Sequence, residues 1–140
     1  MEYAGFWRRF LANIIDTLIL SVFGFLLGIS FGFLTVFLND STAGVVIRSV
    51  VNLISYAVTI FYYIYFIGAK GQTLGKMAMG IKVVKLPDNS NPGYLSAFLR
   101  EIIGKILSAF VILLGFFWML WDPKKQTWHD KIANTVVIKV

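Results

Sequence analysis

The stretch GFWRRFLANIIDTLILSVFGFLLGISFGF, Gly5 to Phe33, is apolar almost throughout, yet it carries two arginines at its start and one carboxylate, Asp16, within. A helix crosses the hydrocarbon of a bilayer with about 20 residues, so this run is long enough to span and to tilt. A carboxylate inside such a run is costly unless it faces a partner or water, which makes Asp16 a functional-site candidate. Arg9 and Asp16 lie on one helical face, about 10 Å apart along the axis, with Ala12 and Asn13 between them. With Arg9 at the membrane edge, Asp16 needs cover from another segment. Arg9 itself, Lys76 and Arg100 are its candidate partners.

Composition extends this reading to the whole chain. The 140 residues are 58% apolar and 14% charged, with no cysteine, and mean hydropathy is +0.76. A soluble domain carries roughly 25% charged residues. The expectation is one domain, residues 1–140, forming an all-α integral membrane protein. Its hydrophobic segments run at about 6–38, 45–67 and 99–121. The polar parts are a loop at 68–96 and a tail at 122–140. The net charge of +6 is scattered between apolar runs, which suits loops facing an anionic leaflet and not a nucleic-acid groove. Absence of cysteine excludes disulfides and thiolate chemistry. Arg8-Arg9 precedes an apolar run as in an export signal. However, the run is long and no small-x-small site follows, so a retained anchor is expected.

Lys and Arg gather at the N-terminus, the central loop and the tail, which places these in the cytoplasm by the positive-inside rule. A full crossing by the third segment would put the basic tail outside. That segment is therefore expected to be re-entrant or interfacial, with Gly104 and Gly115 as bending points. Ile81–Leu86 and Thr135–Val140 are short, β-branched runs, expected to pair as a small cytoplasmic sheet. Trp and Tyr clusters near the segment ends fit the headgroup level.

Several motifs are decoys. Gly28-Ile-Ser-Phe-Gly32 matches the hydrolase elbow but lies inside a helix. Its glycines belong to a stripe, Gly24, Gly28 and Gly32, that suits close helix packing against a neighbouring helix or protomer. Gly71-Gln-Thr-Leu-Gly-Lys76 falls one residue short of a phosphate loop. Asn39-Asp-Ser41 is a glycosylation sequon, meaningful only in a eukaryotic secretory pathway. His129 is the single histidine, so no metal site is expected; Trp128-His-Asp-Lys131 reads as the start of a short interfacial helix. No enzyme activity and no cofactor are expected.

Three blocks together carry a resemblance: Ala4 to Asp16; Gly71 to Lys76 followed by Gly80-Ile-Lys-Val-Val84; and Trp128 to Val137. They resemble the RDD family of bacterial and archaeal membrane proteins, named for one arginine and two aspartates. The resemblance implies that Arg9 is the arginine, Asp16 the first aspartate, and Asp130 the second, with Asp122 as a rival. Asn134 stands where many relatives have glycine. It further implies a multi-pass protein of the cytoplasmic membrane, for which transport, including sodium–proton exchange, has been proposed. Two functions follow as expectations. One is cation or proton transport through Asp16. The other is a non-enzymatic accessory or scaffold subunit clamped by Arg9, Asp16 and Asp130, in contact with lipid and with a second copy or a partner membrane protein.

Overall fold

A computed structural model describes residues 2–38, 41–110 and 114–140. Helix α1 spans Phe6–Leu38 and α2 spans Thr42–Lys70. Both are long and apolar enough to cross a membrane. Ser41 caps α2 by accepting from Gly44 N, and Gly71, in the left-handed conformation at φ +70°, closes its C-terminus. Asn39, the sequon asparagine, lies outside the described residues.

Many large side chains of both helices point outward: Phe25 is 68% and Leu53 69% exposed. Such surfaces are stable in hydrocarbon and a liability in water. Hydroxyls along them are satisfied within the helix, as Ser30 on Leu26 O, Ser49 on Val45 O and Thr59 on Ser55 O. This is the arrangement an apolar solvent demands.

The true core lies at one end of the helix pair. Helix α3 (Leu74–Ala78) leads into β1 (Ile81–Lys85), which pairs antiparallel with β2 (Thr135–Lys139) in the register Val83↔Val137. The N-terminal residues lie along the free edge of β2, with Ala4 N on Val137 O and Lys139 N on Glu2 O. Ala4, Ala12, Ile67, Ile81, Val83, Ala97 and Val137 form the buried apolar cluster. Sheet and helix ends thus build a polar-surfaced cap, and the central segment 68–96 contains α3 and β1 as well as loop.

The third apolar segment is broken. It starts at Gly93, earlier than composition indicates. It runs as α4 (Gly93–Phe98), a π-helical turn (Leu99–Gly104) and α5 (Lys105–Phe110), then as α6 (Leu114–Phe117) and a 3-10 turn (Trp118–Leu120). Helix α7 (Trp128–Ile132) follows. Gly104 and Phe116 both lie against His129: a Cβ at Gly104 would stand 2.5 Å from His129 Cβ, and the Phe116 and His129 rings are 5.2 Å apart. A straight helix would separate residues 104 and 116 by about 18 Å. The segment therefore leaves the cap and returns to it, which is how β2 reaches β1.

Candidate functional site

Asp16 sits fully buried in α1, two turns past Arg9. Its Oδ1 accepts from Tyr62 Oη and Gly75 N, each at 2.8 Å, and its Oδ2 accepts from Thr73 Oγ1 at 2.6 Å. The ion pair expected from the sequence is absent. Among the described residues, neither Arg9, Lys76 nor Arg100 pairs with Asp16; neutral donors surround it. The reason is geometric. Helix α3 points its N-terminus at α1, and its orphan donors need acceptors. Thr73 is the N-cap and takes Lys76 N, Gly75 N goes to Asp16, and Leu74 N goes to Tyr62 Oη. Helix N-termini favour anions. The phosphate-loop look-alike thus cradles a carboxylate of its own chain. Gly75 is required by proximity, since a Cβ there would meet Ala12 O at 2.1 Å.

Arg9 turns the other way, toward the tail. Its Nη1 donates to Asp130 Oδ2 at 2.6 Å, Nη2 to Lys125 O at 2.7 Å and Nε to Ala4 O at 3.2 Å. Asp130 also accepts from Thr127 N at 3.1 Å, and its Oδ1 lies 3.1 Å from Arg100 Nη1. Burial acts to raise the Asp130 carboxyl, but Arg100 and then Arg9 outweigh it and hold the group well below the ordinary carboxylate range. Arg100 continues to Glu101 at 3.2 Å, and Glu101 pairs with Lys105 one turn on. His129 is joined to Thr127 Oγ1 at 2.9 Å. Asp122, the rival second aspartate, holds Lys131 at 2.6 Å and caps the turn before α7 through Lys124 N and Gln126 N.

The predicted residues therefore divide between two clusters. Asp16 belongs to one, with Tyr62, Thr73 and Gly75. Arg9, Asp130 and Arg100 belong to the other, with Glu101, Lys105 and His129 beside them. Asn13 and Lys76 line a cavity next to the second cluster, which Arg9 and Arg100 also border. The glycine stripe stands apart: a Cβ at Gly24, Gly28 or Gly32 would meet nothing within 4 Å. Close packing of that stripe inside the protomer is thus not found. Sequence reasoning missed Tyr62, Thr73, Gly75 and Glu101. Thr73 three residues before Lys76 was a readable N-cap signal, and Glu101 four before Lys105 a readable helix pair. Tyr62 carried no local signal.

Two apolar helices long enough to cross a bilayer, with a charge-clamped cap at one end, are the architecture of a small helical membrane protein in outline. The chain matches the RDD family over residues 3–134, and it belongs to that family. It is 34% identical to the membrane protein YteJ of Bacillus subtilis over 97% of this chain and 80% of YteJ. It is 35% identical to protein RP437 of Rickettsia prowazekii over 65% of this chain and 46% of that protein. It is 32% identical to the proline-rich antigen of Mycobacterium leprae over 63% of this chain and 35% of the antigen. For RP437 and the antigen, the chain spans less than half of the relative's length. No solved structure matches it.

Proposed function

We propose that this protein is a non-enzymatic scaffold or accessory subunit, multi-pass in the cytoplasmic membrane of a bacterium or archaeon. In this reading Arg9, Asp16 and Asp130 are structural clamps. They fix a basic cap on the cytoplasmic side, where it meets a partner membrane protein or a second copy. The observation that carries the reading is the engagement of Asp16 by neutral donors from two other segments. Three donors occupy its two oxygens, and each belongs to a segment that the carboxylate ties down. A carboxylate offers about four acceptor sites, and at Asp16 three of them are engaged by groups of α2 and of the start of α3.

Transport remains the competing function, favoured by one observation. Asp16 has no cation within ion-pair distance among the described residues, so a proton or a metal cation would find its charge uncompensated by another side chain. Reconstituted vesicles separate the two. On the scaffold reading, Asp16→Asn lowers the melting temperature, and vesicles of the parent protein show no proton or sodium flux above empty vesicles. Flux in the parent that vanishes in a fully stable Asp16→Asn variant would establish transport instead.

A further inference from the structure

Beside the Arg9–Asp130 cluster lies a cavity of about 320 Å³, within the roughly 300–1,000 Å³ of small-ligand sites. One wall is charged, with Arg9, Lys76, Arg100, Lys105 and Glu101. The other is apolar, with Phe6, Phe10, Phe116, Phe117 and Met119. The charges do not balance. Glu101 and Asp130 between them serve Arg9, Arg100 and Lys105. Asp16, the next carboxylate, is engaged by Tyr62, Thr73 and Gly75. Lys76 is left buried, without an ion pair among the described residues, its ammonium 5.9 Å from the Tyr63 ring centroid. Arg100, by contrast, faces Glu101 and Asp130 at 3.2 and 3.1 Å, and its Nε and Nη1 make these charge contacts without hydrogen-bond geometry, as Glu101 Oε2 and Asp130 Oδ1 make theirs. Buried cations are stable when paired, so it is Lys76 that lacks an anion among the described residues.

The cavity also has a direction. Phe6, Arg9, Phe10 and Asn13 belong to the first two turns of α1, where a spanning helix enters the bilayer. Phe10 and Phe117 at its rim are 45% and 41% exposed. A ligand here meets cations on one side and leaves past phenylalanines toward the apolar helix surfaces. We propose that the cavity binds the phosphate headgroup of an anionic phospholipid, with Lys76 as its principal contact and the first methylenes on the phenylalanine wall. Burial, against the opposing pull of Glu101, holds the Lys76 ammonium down to about 8. A phosphate would stabilise the charged form by charge-assisted hydrogen bonds. The inference goes beyond the scaffold reading and stands whether or not Asp16 carries ions.

The test uses the full chain in a neutral detergent, supplied with phosphatidylglycerol or phosphatidylcholine at equal mole fraction. Lipid retained is read by native mass spectrometry, with melting temperature alongside. The parent is expected to retain phosphatidylglycerol about tenfold over phosphatidylcholine, the equilibrium ratio of one good charged contact. Lys76→Gln is expected to abolish that preference, and Lys82→Gln, on the strand away from the cavity, to keep it. Lys105→Gln, on a more exposed side chain, is expected to weaken it and reads the site even if Lys76→Gln does not fold. Equal retention of both lipids by the parent would overturn the proposal, as would an unchanged preference in Lys105→Gln or in a folded Lys76→Gln. Glycerol phosphate stabilising the parent as much as phosphatidylglycerol does would also overturn it, by showing that the site takes a soluble anion.

Discussion

At Asp130 a carboxylate without contact to water is held by Arg9, Arg100 and Thr127 N. Removing one member of a buried pair costs about 3–5 kcal/mol, because the other charge is left unpaired. Asp130→Asn should therefore lower the melting temperature in detergent sharply. Arg9→Gln should act similarly, and the double variant should lose less than the sum of the two, since they share one network. The neighbouring His129 gives a pH prediction. Burial pushes it down from 6.5 to about 3, against the pull of Asp130. The fold thus holds it neutral while the unfolded chain binds a proton below about 6.5. Between those values the unfolded state carries more protons, so stability rises with pH and is lost on acidification. Thermal melts across that window should show this slope in the parent and a flatter one in His129→Gln.

Among the elements, the broken third segment depends on one close approach. The π-helical turn ends at Gly104, where a Cβ would lie 2.5 Å from His129 Cβ and 2.7 Å from its Cα. Backbone atoms cannot yield as a flexible side chain does, so Gly104→Val should separate α5 from α7. A loss of about 1–3 kcal/mol is expected from overpacking, measured as a lowered melting temperature with helicity largely retained. The glycine stripe of α1 predicts the opposite. A Cβ at Gly28 meets nothing within 4 Å, and the glycine borders a cavity of about 230 Å³ shared with Arg48, Val51 and Asn52, so Gly28→Leu has room and its melting temperature should stay that of the parent. A lowered oligomeric state in that variant, read by size-exclusion chromatography with light scattering, would mark the stripe as a contact between copies.

For the whole molecule, the Tyr3↔Ile138 bridge, the Glu2–Lys139 pair and the β1–β2 ladder gather both termini and the central loop at one end. Every lysine and arginine except Arg48 lies in the segments of that end, which favours a cytoplasmic cap under the positive-inside rule. Single cysteines at Glu2 and Lys139 should both resist an impermeant thiol reagent in intact cells and react after lysis. Labelling of both in intact cells would place the cap outside.

The sequence by itself determined the class and the first helix. Apolar length and the hydrocarbon thickness leave little freedom for Phe6–Leu38, and short runs of β-branched residues mark both strands. Asp130, in the polar tail, was marked only by the resemblance to the RDD family. Charge in an apolar run is costly and must be answered, which singled out Arg9 and Asp16. What answers it was decided only by tertiary structure. Arg9 and Asp16 share a helical face and look like partners, yet α3 brings Gly75 N and the Thr73 hydroxyl to Asp16, and the tail brings the Asp130 carboxylate to Arg9. Tyr62, 46 residues from Asp16 in sequence, meets it only because α2 packs antiparallel to α1. The return of the third segment is equally non-local. Composition describes one apolar run, whereas contact of Gly104 and Phe116 with a single histidine folds that run back upon itself.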